Sequence, residues 1–190
     1  MKYVGIDPDT HATSFAIADL DRVYAVDVAK VGSKYRGADA VVQMSAAISE
    51  TVMRMFTALE GPFEIYVEGQ KVYSRQQRAN PNAIVTLAQV AGAAINATQV
   101  WGPTELVLPQ DWKQQQPKVT NQGRTYRHFG WNYTSKTPKR GDGYCIPQCE
   151  EAAKFKQSDS SWRHIADALG IALWAAKEAH KGQLRSKYAQ

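Results

Sequence analysis

From Ile165 to Ala176 the chain reads Ile-Ala-Asp-Ala-Leu-Gly-Ile-Ala-Leu-Trp-Ala-Ala, and Asp167 is the only charged residue in those twelve. A helix that is apolar all round is a buried helix. The rest of the chain therefore has to cover this segment on more than one side. A lone carboxylate inside it costs on the order of several kcal/mol unless it is paired or bound to a metal. Two readings of Asp167 follow: a buried salt bridge to an arginine, or a metal ligand. His164 stands three residues earlier and shares its face. It is either a solvated residue of the first turn or a partner of Asp167.

The cover is written upstream. Residues 2–6 read as a short buried strand, Pro8-Asp9-Thr10 as a turn, and residues 12–18 as a second strand. The four residues Asp19 to Arg22 connect it to a third strand, Val23 to Val31, so the pair is an antiparallel hairpin. Val41, Met44, Ile48, Val52, Met55, Phe56 and Leu59 fall at helical spacing, which predicts a helix over 39–59, ended by Gly61-Pro62. A strand over 63–68, a helix over 82–98, a strand over 105–108 and a final helix over 162–180 complete the pattern. Three strands followed by alternation predict an α/β fold: a five-stranded mixed sheet, its first three strands antiparallel, flanked by helices. No internal repeat or linker divides the chain. It reads as a single domain over 1–190 with a polar, basic insert at about 112–160.

The net charge of +5 is concentrated in that insert: from Trp112 to Lys156 there are nine Lys or Arg against three acidic residues. Clustered positive charge in a polar segment suits a polyanionic partner. Lys113, Lys118, Arg124, Arg127, Lys136, Lys139 and Arg140 are the candidate phosphate contacts there, interleaved with Tyr126, Trp131 and Tyr133. Some of those aromatics are expected to pack the insert itself. A second basic loop, 69–80, carries Lys71, Tyr73, Arg75 and Arg78. Tyr73 is placed to stack on an unpaired base, or the loop is simply solvated. Cys145 and Cys149, the two cysteines, are too few for a disulfide framework, and with His128 they make a poor zinc site. The absence of a long apolar run and of a signal peptide leads us to expect an intracellular, cytoplasmic protein with no membrane partner.

Asp7 and Glu68 each end an apolar strand. Each alone reads as the start of a loop. Ligand sites of open α/β sheets gather beyond the carboxyl ends of strands, where two such carboxylates meet. With Asp167 and His164 they offer oxygen and imidazole donors. Carboxylates select hard cations such as Mg²⁺ or Mn²⁺, and paired metals support phosphodiester hydrolysis.

The motifs Gly5-Ile6-Asp7-Pro8, Val67-Glu68-Gly69-Gln70, Leu87 to Ala94 and His164 to Ala172 together resemble the RuvC-like Holliday junction resolvases of the RNase H-like superfamily. Order and spacing agree from residue 3 to about 108 and again from 162 to 176. The resemblance implies a homodimeric endonuclease that acts in DNA recombination and repair. It would cut opposing strands of a four-way junction, leaving 5′-phosphate and 3′-hydroxyl ends, with no organic cofactor. It implies Asp7, Glu68, His164 and Asp167 as catalytic and metal-binding residues for two Mg²⁺ ions, with Mn²⁺ substituting. Asp7 would bridge both ions, Glu68 and Asp167 would each complete one shell, and His164 would ligate or position water. The resemblance also makes helix 82–98 the dimer interface and the loop after Glu68 the segment that enters the junction centre. Asp9 replaces the glycine usual in the family. It is expected to cap the turn, though a carboxylate here would also be near the metals. The insert is longer than in the bacterial enzymes, which makes a relative from a virus or mobile element plausible. Rivals are an actin-like or sugar-kinase ATPase, which needs a duplicated domain, a non-catalytic DNA-binding relative, and a flap or fork nuclease with the same site.

Overall fold

The computed structural model describes residues 1–70, 81–113, 116–137, 142–146 and 161–188. Its main sheet is built from β1 (Lys2–Asp7), β2 (Ala12–Ala18), β3 (Val23–Lys30), β4 (Phe63–Glu68) and β5 (Thr104–Val107). Their spatial order is β3-β2-β1-β4-β5. β1 pairs antiparallel with β2, and β2 with β3, whereas β4 lies parallel to both β1 and β5. The expected five-stranded mixed sheet is thus present, and its two central strands carry Asp7 and Glu68 at their carboxyl ends.

Strand alternation sorts the core into two layers. Val4, Ile6, Phe15, Ile17, Ile65 and Val67 point to one face, where α1 (Gly37–Thr57) and α2 (Pro81–Thr98) cover them. The helix α1 answers with Met44, Ile48, Val52, Met55 and Phe56, spaced so that one stripe is buried. Tyr3, Ala16, Ala18, Val26 and Val28 point to the other face. There the last helix, α5 (Ser161–Tyr188), buries Ile165, Ala166, Ala168, Leu169 and Ala172. Gly5 belongs to this second face. A Cβ on it would stand 2.0 Å from the Ala168 carbonyl oxygen, so its missing side chain lets α5 lie directly on β1. Asp7 is two residues further on the same face and therefore points at the first turns of α5.

The described residues of the insert carry regular elements that the sequence reading did not assign. These are α3 (Pro109–Lys113), α4 (Lys118–His128) and β6 (Asn132–Thr137), which pairs antiparallel with β7 (Asp142–Ile146). Gly130, with φ 70°, ends α4. The Gly130 N–H donates to the Arg127 carbonyl and the Trp131 N–H to the Tyr126 carbonyl, at 3.1 and 2.9 Å. This is the glycine-ended helix stop in which flanking apolar residues meet. Tyr126 and Trp131 do stack, with ring centroids 5.8 Å apart. Both are buried in the α5 layer, and the Tyr126 hydroxyl donates to the Trp162 carbonyl. These two aromatics are therefore core residues, not platforms for bases. No helix among the described residues is long and apolar enough to cross a membrane.

Candidate active site

Asp7 and Glu68 sit side by side because β1 and β4 are parallel neighbours in near-matched register, Ile6 opposite Val67. Helix α5 crosses them with His164 and Asp167 on its inner side. His164 Nδ1 lies 3.0 Å from Asp7 Oδ2. An ionised carboxylate only accepts, so Nδ1 carries the hydrogen. Asp7, Glu68 and Asp167 are all buried, Asp167 to 1% exposure.

Positive charge reaches them from the insert. Lys113, at the end of α3, donates to Glu68 Oε1 at 3.0 Å. Lys118, at the start of α4, places its ammonium 2.5 Å from Asp167 Oδ2. One turn along α4, Gln122 donates from its amide to Asp167 Oδ1 at 3.2 Å and to the Arg163 carbonyl at 3.1 Å. The salt-bridge partner of Asp167 is therefore a lysine of the insert, not an arginine. Asp9 lies just outside. Its Oδ1 accepts the backbone N–H groups of His11 and Ala12, which is the turn-capping role expected of it.

Proton affinities in the cluster diverge. Burial alone would push the Asp7 carboxyl up. Hydrogen bonds from His164 and Glu68, with the charges of His164 and Lys118, outweigh it and hold Asp7 below the usual range. Glu68 is pushed up to about 8 by burial, by the Asp7 charge and by the hydrogen bond it donates to Asp7; Lys113 only partly opposes this. Asp167 is raised by burial and by Asp7, against the pull of Lys118. The hydrogen bond to Asp7 raises His164 despite its burial. Burial opposes the charge on Lys118, but Asp167, Asp7 and Glu68 raise it. One proton is thus shared between Glu68 and Asp7 near neutral pH.

The four residues singled out in the sequence come to one place, held by β1, β4 and α5. They are not drawn into a single tight cluster. Asp7 touches Glu68 and His164, while Asp167 is engaged by Lys118 and Gln122, and among the described residues no three His, Cys, Asp or Glu side chains form a ready set of metal ligands. Their donor chemistry nonetheless fits a hard divalent cation: buried carboxylate oxygens beside an imidazole, already matched by two ammonium groups.

Of the candidate phosphate contacts, Lys113 and Lys118 meet carboxylates. Arg124 and Arg127 lie exposed on α4. Lys71, Tyr73, Arg75, Arg78, Lys139 and Arg140 lie outside the described residues, as does the side chain of Lys136 on β6. Cys145 falls on β7 and Cys149 outside the described residues. Gln122 was not singled out in the sequence. Its signal is its place four residues after Lys118, on the same side of a helix, once that helix is recognised.

No family model matches the chain. No curated protein matches it either. Solved structures do. Thermus thermophilus RuvC in complex with a Holliday junction substrate superimposes with a TM-score of 0.61 at 22% identity, covering 96% of each chain. A second Thermus thermophilus RuvC structure gives a TM-score of 0.60 at 20% identity, covering 96% of this chain and 97% of that one. The resemblance read in the motifs thus extends over almost the whole chain, which has the RNase H-like fold of RuvC.

Proposed function

We propose that the protein is a metal-dependent endodeoxyribonuclease that resolves four-way and other branched DNA, leaving 5′-phosphate and 3′-hydroxyl ends. The observation that carries this reading is that Asp7 and Glu68 lie side by side at the carboxyl ends of two parallel strands, with His164 of α5 on Asp7 and Asp167 one turn further along that helix, in a RuvC-like fold. Asp7, Glu68, Asp167 and His164 are the residues that would hold Mg²⁺ or Mn²⁺. Bound divalent ions supply a nucleophilic water at neutral pH and stabilise the leaving oxygen. The chain's own residues prepare the place. His164 orients Asp7 and keeps it ionised. Gln122 fixes the Asp167 carboxylate against α5. Burial around Glu68 excludes bulk water. The neighbour bound to a Holliday junction supports branched DNA as the substrate.

The deciding experiment incubates purified protein and Mg²⁺ with labelled junction, fork, flap and linear duplex. Junction cleavage by paired symmetric nicks is expected. Preference for flap or fork would redirect the substrate and keep the chemistry. Metal-independent binding without any cutting would leave a DNA-binding relative. Asp7→Asn should abolish cleavage and keep DNA binding, and an Asp7→Asn protein that cuts normally would overturn the assignment.

A further inference from the structure

Beside the carboxylates, α3, α4 and α5 wall a cavity of about 200 Å³. Three buried polar atoms of its lining have no hydrogen-bonding partner among the described residues: Trp112 Nε1, Gln116 Oε1 and Asn121 Nδ2. Trp112 is 5% exposed. A buried polar group left unmet costs about 1–3 kcal/mol. Three in one wall mark a place that something polar fills.

The charge around the cavity indicates what that is. Among the described residues, Lys113, Arg124, Lys177 and Lys181 line it against one acidic residue, Glu178, which is paired with Lys181 at 2.7 Å. Lys177 and Lys181 stand one helical turn apart. Burial and the Lys181 charge hold Lys177 below its usual range. The indole N–H and the Asn121 amide are donors, and a primary amide such as Gln116 presents a donor after a half-turn. Donors, excess cations and a concave wall together select an oxyanion. Lys113 belongs to this wall and also donates to Glu68, so the cavity and the carboxylate site share a side.

We propose that this cavity binds a backbone phosphodiester of the DNA strand being cut, a phosphate other than the one at the carboxylates. The proposal rests on the nuclease reading and adds to it a built subsite that fixes the strand's path along α4 and α5. The group bound is an oxyanion, and its source is the strand, not a free phosphate.

The test is run in EDTA, so that cleavage plays no part. Affinity for labelled junction DNA is measured across a salt series for the parent, Arg124→Gln, Lys177→Gln and the double variant. Both side chains are exposed, so folding should survive, which thermal melting checks. Arg22→Gln, in the β2–β3 turn at the opposite end of the sheet, serves as control. Each site variant should weaken binding and reduce the log–log salt slope by about 0.9, the double variant by about twice that, and the control by nothing. In parallel, the Trp112 indole N–H resonance is followed while inorganic phosphate, or a short oligonucleotide, replaces chloride at fixed ionic strength. It should move with both, and at far lower concentration with the oligonucleotide. An unchanged slope in the double variant, with the parent still binding DNA, overturns the subsite and spares the nuclease. A resonance that answers to phosphate but not to the oligonucleotide overturns the strand as its source. A silent resonance means a merely hydrated cavity. A parent that binds no DNA at all overturns the subsite and the nuclease reading together.

Discussion

Glu68 and Asp7 show how one environment drives two carboxyls apart. Glu68 keeps its proton to about pH 8, whereas an unfolded glutamate loses it near 4.5. In that interval the folded chain binds more protons than the unfolded one, so this group's contribution to stability is full below about pH 4.5 and is lost as pH rises through 8. Melting temperature in EDTA should therefore fall between pH 5 and 8, and Glu68→Gln should flatten the fall. A divalent ion competes with that proton, so metal affinity should rise over the same interval, measurable by calorimetry. Asp167 gives a second residue-level test. Lys118→Met leaves a buried carboxylate with Gln122 alone. It should cost about 1–3 kcal/mol near pH 8, and less near pH 5, where Asp167 protonates more readily. Denaturant midpoints at the two pH values check it. The sequence made Asp167 conspicuous because a charge in an apolar helix demands a partner. It did not reveal the partner, because Lys118 is one of many lysines in a polar stretch.

Among the elements, the strands and the long helices were legible because their buried faces repeat at period 2 or 3.6. The observed β1, β2 and β4 end within a residue of where alternation and turn signals put them. The helix α4 was not legible. Its sequence, Lys-Val-Thr-Asn-Gln-Gly-Arg-Thr-Tyr-Arg-His, has almost no apolar stripe. It is held by the stacked Tyr126 and Trp131, by its glycine stop and by Gln122, which are tertiary and capping effects that periodicity does not report. The contact of β1 with α5 is the element-scale prediction. Gly5→Ala drives a methyl into the Ala168 backbone, which cannot swing aside as a side chain can. A loss of about 1–3 kcal/mol or more is expected, and because Asp7 and α5 shift apart together, cleavage should fall more than stability alone explains. Comparing activity with the folded fraction at low temperature tests this.

At the scale of the whole molecule, the paired nicks expected of the proposed resolvase would need two sites, and α2 offers a surface for pairing. Val85, Ala88, Gln89 and Gly92 are exposed along it, and a Cβ on Gly92 would meet nothing within 4 Å. If α2 is the homodimer interface, Gly92→Arg should give a monomer in sedimentation that binds junctions but nicks only one strand at a time. The pairing of Asp7 with His164 has a different consequence, since it joins residues 157 positions apart. The loop it closes takes in most of the chain, so no fragment short of nearly the full length holds both halves of the site. A divalent ion bound there would clasp the first strand to the last helix. Amide hydrogens of α5 around Ile165 to Ala172, and those of β1, should then slow their exchange together when Mg²⁺ is added, while the β2–β3 turn at the far end exchanges as before.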